Sequence, residues 1–405
     1  AGRQRRIDGE KLHRLQFGIR ELSSAAGRPG KRRCDLAAVR EGAYTSDARN
    51  CLPESSMIYN TCRSRRFLGK ALAVAALAVC GLFANSAGAA DSAVILIYHR
   101  FGDARFPSTN VRLEQFEAHI AELTSGKYKV LPLQEIADAL VSGKPLPDRA
   151  VAITIDDAFR SVHDEAWPRL RKAGLPFTLF VATEPVERGL SDYMTWAQIR
   201  EMRDGGAAIG AHSHSHAHMA NQTAKTNRQE IETSNKILAR ELGAAPSLFA
   251  YPFGEASTAV MSVVKESGYR VAFGQHSGVA GRALPRYFLP RFSLNEAYGS
   301  SERLRTALNA LPLPVEDVTP QDPLVPPGGN PPAVGFTLGK SVGDARRLTC
   351  YQSNSGPMDV QHVGPRRIEI RFSAPFPKGR SRINCTLPGP DGRWQWFGTQ
   401  FYVKP

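Results

Sequence analysis

Ala150–Asp157 reads AVAITIDD. Six small, apolar or β-branched residues run without polar alternation, which is the pattern of a buried strand, and two carboxylates stand at its carboxyl end. Outward from this run the chain alternates strand and helix patterns. Upstream, Val94–Tyr98 is a continuous apolar strand ending at His99, and Leu113–Leu123 places Phe116, Ile120 and Leu123 at helical spacing. Val130–Leu131 reads as a short strand and Gln134–Val141 as a helix. Downstream, Val162–Lys172, Trp196–Met202, Thr226–Leu242 and Val260–Ser267 read as helices. They alternate with strands at Phe177–Ala182, Ala207–Ala211, Leu248–Tyr251 and Val271–Phe273. Repeated βα units imply a parallel sheet with helices outside, and the length suits an α/β barrel or near-barrel.

Reactive groups on such sheets gather at the carboxyl ends of the strands. The candidates here occupy those ends: His99, Asp156-Asp157, the stretch after Ala211, and Tyr251-Pro252-Phe253-Gly254. Ile209–Met219 reads IGAHSHSHAHM, with a histidine at every second position from His212 to His218. His212 with His216, and His214 with His218, stand four apart, a spacing that one helical turn would bring to one face for metal ligation. Each group has a plainer reading: an N-cap for the aspartates, a satisfied strand-end histidine, a turn, a solvated His-rich tract. Their shared placement at one end of the sheet favours chemistry.

The formal charge is +14, but residues 1–90 hold 16 Lys and Arg against 7 Asp and Glu, leaving only +5 on the remainder. A nucleic-acid partner is therefore not implied. Residues 1–56 contain no methionine and no sustained period, and read as disordered or as a non-native upstream extension. Residues 57–90 read as a signal peptide: a basic region with Arg63, Arg65, Arg66 and Lys70, an apolar run Ala71–Phe83, and Ala87-Gly88-Ala89 as a cleavage site. The expected destination is the periplasm or the exterior. Of six cysteines only Cys350 and Cys385 follow that segment, and one bridge between them would stabilise a small domain by roughly 3 kcal/mol.

Thr154-Ile155-Asp156-Asp157, then His212-Ser213-His214-Ser215-His216, then Tyr251-Pro252-Phe253-Gly254 resemble the successive motifs of the polysaccharide deacetylase family, also called the NodB-homology or carbohydrate esterase family 4 domain. The likeness spans about Ala93 to Asn295. It implies a NodB-type distorted (β/α) barrel over residues 91–310 that hydrolyses acetyl groups from a glycan polymer with a divalent metal ion, zinc first, with iron, cobalt or nickel as alternatives. By the same resemblance Asp156 is the general base and Asp157, His212 and His216 are the ligands, while His214 and His218 fall on variable, rim positions. The Tyr251–Gly254 loop is the candidate oxyanion donor.

Two departures from the family pattern matter. Ala250 stands where many members have the arginine that orients the base, and Arg291, in Leu289-Pro290-Arg291-Phe292, is the candidate substitute. The late Leu-x-His acid motif is absent, and the front strand Ile95–His99 resembles instead the circularly permuted branch that deacetylates poly-β-1,6-N-acetylglucosamine. That likeness gives the acid role to His99, with His276 as its competitor. Peptidoglycan or an O-acetyl ester as substrate, and a catalytically degenerate matrix-binding module, are the alternatives.

Residues 311–332 hold eight prolines and a Gly328-Gly329 pair, and read as an extended linker. Residues 333–405 alternate like strands and imply a small all-β sandwich-like domain with the Cys350–Cys385 disulfide. Trp394, Trp396, Phe397 and Tyr402 could contact carbohydrate or a partner there, or be half core.

Overall fold

The computed structural model of the chain describes residues 89–353 and 355–405. The expected upstream extension, and the signal segment apart from Ala89 and Ala90, lie outside the described residues. No helix among the described residues is long and apolar enough to cross a membrane.

The sheet predicted from the AVAITIDD run is present. Its strands are β1 (Ser92–Tyr98), β2 (Ala150–Asp156), β3 (Phe177–Val181), β4 (Ala208–Ala211), β5 (Leu248–Ala250) and β6 (Val271–Phe273). They lie in the order β6-β5-β4-β3-β2-β1, all parallel. Every residue of β2 is buried, because helices cover its outer face and the barrel interior covers the other. The helices are α1 (Leu113–Leu123), α2 (Leu133–Ser142), α3 (Trp167–Lys172), α4 (Trp196–Asp204), α5 (Ala224–Leu242), α6 (Thr258–Glu266) and α7 (Ser301–Leu308). Helix α5 starts where the Thr223 side chain accepts from the Thr226 N–H, and stops at Gly243, whose φ of 84° only glycine adopts without strain.

The segment Leu289–Ser293 spans the gap between the two edge strands. Leu289 exchanges backbone hydrogen bonds with Ala272 and Gly274 on the β6 side. Phe292–Ser293 pairs in parallel with Leu96–Ile97 of β1. The result is the distorted (β/α) barrel, and Arg291 sits in the strap that closes it.

The C-terminal part comprises two antiparallel-rich sheets around their own core of Leu313, Val315, Phe336, Leu338, Ile368, Ile370, Phe397 and Phe401, among others. Its strands are β7 (Val315–Thr319), β8 (Val334–Leu338), β9 (Thr349–Gln352), β10 (Asp359–Val363), β11 (Arg367–Arg371), β12 (Gly379–Pro388) and β13 (Trp394–Val403). Cys350 and Cys385 face each other across β9 and β12 and are joined, with an S–S distance of 2.04 Å.

Residues 311–332 are not a free linker. Leu311–Pro312 pairs with β13, β7 pairs with β8, and Leu313, Val315 and Val325 are buried. Prolines lack an N–H, yet edge positions accept them, so the stretch packs as sheet margin despite its composition. The aromatic residues of β13 mostly pack as well. Phe397 stacks edge-on against Phe336, Trp396 against Phe292 of the barrel, and Tyr402 is buried with its hydroxyl accepting from Asn221; Trp394 is exposed.

Candidate metal centre and active site

Strand β2 delivers Asp156 fully buried at the mouth of the barrel, and the closing strap delivers Arg291, equally buried, to meet it. The guanidinium donates to both carboxylate oxygens, at 2.7 Å to Oδ1 and 2.8 Å to Oδ2, the fork geometry that suits arginine and carboxylate. Its orientation is fixed by further bonds to the Gly274 carbonyl and to the Thr154 hydroxyl, which itself donates to the Leu96 carbonyl. Burial alone would push the Asp156 carboxyl up; Arg291, then His212, more than offset it and hold the group below its ordinary value.

Beyond Asp156 the chain turns sharply. Asp157 and Ala158 take φ of 77° and 62°, and Asp157 swings towards His212 and His216. Its Oδ1 lies 3.3 Å from His212 Nε2 and 3.1 Å from His216 Nε2. The two histidines do not ride on a helical turn as their spacing suggested. His212 follows β4, and the chain then curls through Ser213 (φ 62°) and His216 (φ 55°), so the four-residue separation is closed by left-handed backbone. Each such non-glycine residue costs on the order of 1–3 kcal/mol and persists where the surroundings enforce it. Glu230 of α5 helps enforce it by accepting from the His214 and Ser215 N–H groups and the Ser215 hydroxyl.

The donor set fits a divalent cation. His212 Nδ1 donates to the Ala250 carbonyl at 2.7 Å, which leaves the Nε2 lone pair of the neutral ring aimed at Asp157. Neither His212 Nε2 nor Asp157 Oδ1 has a hydrogen-bond partner among the described residues, though both are buried. Facing lone pairs repel unless positive charge lies between them. The titration behaviour has the same cause: burial would lower His212, but Asp156, then Asp157 and the Ala250 carbonyl, hold it above its ordinary value. Asp157, which burial would raise, is held well below the usual carboxylate range by His212 and His216. Asp157, His212 and His216 are the one such cluster among the described residues.

The remaining sequence candidates divide. His99 lies within electrostatic reach of Asp157, Asp156, Arg291 and His212. His276 is instead packed against Phe288, near Arg382 and Arg291, and burial pushes it down to about 3. Of the Tyr251–Gly254 loop, the Tyr251 N–H is spent on the Phe273 carbonyl, Pro252 has none, and the Gly254 N–H closes the turn onto Tyr251. The Phe253 N–H has no hydrogen-bond partner among the described residues, and its ring lies 4.5 Å from that of His216. The Tyr251 side chain points into the core, donating to the Tyr287 carbonyl. His214 bonds to the Thr183 hydroxyl, and His218 stacks face to face on Phe253 while bonding to buried Glu255. Neither belongs to the cluster. The roles of Thr154 and Glu230 were not anticipated from the sequence; Thr154 bonds to Leu96 and Arg291, 58 and 137 residues away, and Glu230 to His214, 16 residues away on another element.

The pattern of the family described as polysaccharide deacetylase matches residues 143–272, which carry Asp156, Asp157, His212 and His216 together. The domain belongs to the polysaccharide deacetylase family. YxkH of Bacillus subtilis, a polysaccharide deacetylase by name, is 26% identical to this chain over 207 residues, covering 51% of this chain and 73% of that protein. The poly-β-1,6-N-acetyl-D-glucosamine N-deacetylase of Staphylococcus aureus is 25% identical over 235 residues, covering 51% of this chain and 80% of its own. In structure, the Streptococcus pyogenes deacetylase PplD, solved with acetate, matches 54% of this chain and 98% of its own with a TM-score of 0.50 at 22% identity, a likeness of fold.

Proposed function

We propose that the deacetylase domain is a metal-dependent N-deacetylase that hydrolyses the acetamide groups of an N-acetylhexosamine polymer. The observation that carries this reading is the convergence of unpartnered Asp157 and His212 donors with His216, beside an Asp156 carboxylate held by Arg291. Asp157, His212 and His216 would hold the ion, which when bound supplies Lewis acidity to the acetyl carbonyl and lowers the pKa of a water. The ligand set suits zinc, and also iron, cobalt or nickel.

Asp156 accepts the proton of the attacking water; Arg291 keeps its carboxyl ionised and aims it. The Phe253 N–H donates to the oxygen that gains charge as the acetyl carbon becomes tetrahedral. The carbon–nitrogen bond then breaks with a proton delivered to the departing amine, giving acetate and a free amino sugar. His99 is the proton donor in this reading: burial lowers both imidazoles, but Asp157 and Asp156 act on His99 to favour its charged form, whereas His276 is packed against Phe288 and faces only the positive charges of Arg382 and Arg291. The degenerate-module alternative rested on a missing arginine, and Arg291 reaching Asp156 removes that ground.

The name of the Staphylococcus aureus relative supports poly-N-acetylglucosamine as the polymer. The Cys350–Cys385 disulfide supports an oxidising, extracytoplasmic location. The test is acetate release from β-1,6-linked N-acetylglucosamine oligomers, beside β-1,4-linked oligomers, peptidoglycan and O-acetylated glycans. Release from the β-1,6 oligomers in preference to the others is expected. Preference for another substrate would revise the polymer, and release from none would remove the reading.

A further inference from the structure

The turn that carries the free Phe253 N–H is held from outside the barrel. Phe253 has φ 59°, and Gly254, with φ 68°, lies so close to Gln275 that a Cβ there would come within 2.5 Å of the Gln275 nitrogen. Such a turn needs external support to keep its peptide planes in place. Two side chains of the C-terminal hairpin β12–β13 supply it. Arg380 donates from Nη1 to the Phe253 carbonyl at 3.0 Å, with its guanidinium 5.6 Å from the Phe253 ring centroid. Gln400, buried, donates from Nε2 to the Gly254 carbonyl at 2.8 Å.

The orientation of the Gln400 amide is not arbitrary. Arg382 Nε donates to Gln400 Oε1 at 3.0 Å, and an arginine can only donate, so the amide nitrogen must face Gly254. The hairpin itself is pressed against the barrel: a Cβ at Gly398 would come within 1.8 Å of the Ser277 carbonyl oxygen. Glu255, next in the turn, lies 3.7 Å from Arg380 and accepts or shares a proton with His218, whose ring covers Phe253.

We infer that Gln400 and Arg380 are positioning residues for the deacetylation step: the C-terminal hairpin holds the Phe253–Gly254 peptides so that the Phe253 N–H stays aligned for the developing oxyanion. This rests on the function proposed above. The C-terminal domain is thereby a working part of the active site.

The test uses the full chain and four variants. Gln400→Glu keeps the acceptor for Arg382 but deletes the donor to Gly254; Arg380→Met deletes the donor to Phe253, and Arg380→Lys restores a cation. Arg393→Met is the control: it breaks the contacts to Asp148 and the Asn309 carbonyl that also join hairpin to barrel, away from the turn. Expected for Gln400→Glu and Arg380→Met is a kcat reduced about 10- to 100-fold, less than deleting an oxyanion donor outright, with KM within about twofold and metal content unchanged. Amide hydrogen exchange at Gly254 and Glu255 should rise in both, Arg380→Lys should recover part of both effects, and Arg393→Met should show neither. Unchanged kcat and exchange in Gln400→Glu and Arg380→Met, or an equal kcat loss in Arg393→Met, would overturn the inference. Should the wild type release no acetate from any glycan, the proposed function fails on its own, and the exchange measurement still decides whether the hairpin holds the turn.

Discussion

Replacing Arg291 with methionine keeps most of the side-chain volume and removes a fully buried charge whose partner, Asp156, is also fully buried. The carboxylate would lose both bonds of the fork while remaining buried. Stripping one partner from a buried ion pair costs about 3–5 kcal/mol, against at most about 1 for an exposed pair. The sign of the pH dependence follows from the pKa. In the wild type Asp156 is depressed, so its contribution is present above the unfolded carboxylate value and is lost as pH falls through the folded one. Without Arg291 the burial penalty becomes the larger influence and the folded pKa moves up, so the stability deficit should be greatest near pH 7 and shrink as acid protonates the carboxyl. Urea denaturation of metal-free protein, followed by tryptophan fluorescence near pH 7 and near pH 4.5, reads both quantities. Acetate release should fall about 10²–10⁴-fold, the worth of a general base, with Arg291→Lys intermediate. A deficit under about 1 kcal/mol, or one that grows towards low pH, would refute the reasoning.

Asp157→Asn, His212→Ala and His216→Ala should each lose bound metal on dialysis, whereas His214→Ala, whose ring bonds Thr183, should retain it; elemental analysis decides, and metal loss in His214→Ala would mean that the ligand register is wrong. His99→Ala should keep its metal and lose about 10²–10⁴ in kcat, while His276→Gln should stay within a few-fold of wild type, the reverse pattern making His276 the acid. The same His276→Gln should flatten a decline in stability between pH 6.5 and about 3, because folding excludes the proton the unfolded histidine takes up.

The barrel was legible because its evidence is local. AVAITIDD announces a buried strand and its carboxylates in eight residues, and the βα alternation around it recurs at the same scale. Arg291 could be named as a substitute for the missing arginine, but its route to Asp156 depends on a strap that bridges two sheet edges, which no periodicity marks. The histidine pair misled in its geometry: four-residue spacing suggested a helical turn, and left-handed Ser213 and His216 achieve the approach instead. Residues 311–332 misled through composition, since proline at a sheet margin looks the same as proline in a tether. Arg380 and Gln400 were invisible because their partners lie 127 and 146 residues away in the chain, and contacts at that range leave no local signal.

The central claim is that Asp156 acts on a substrate at an ion held by Asp157, His212 and His216. The most direct measurement is free-amine formation on β-1,6-linked N-acetylglucosamine oligomers by wild type and Asp156→Asn, each with its metal content determined, before and after chelation and zinc re-addition. The account expects amine from the wild type, none after chelation, recovery with zinc, and an Asp156→Asn protein that binds zinc yet forms almost no amine. Amine formation that survives chelation, or an Asp156→Asn variant as active as wild type, would contradict it.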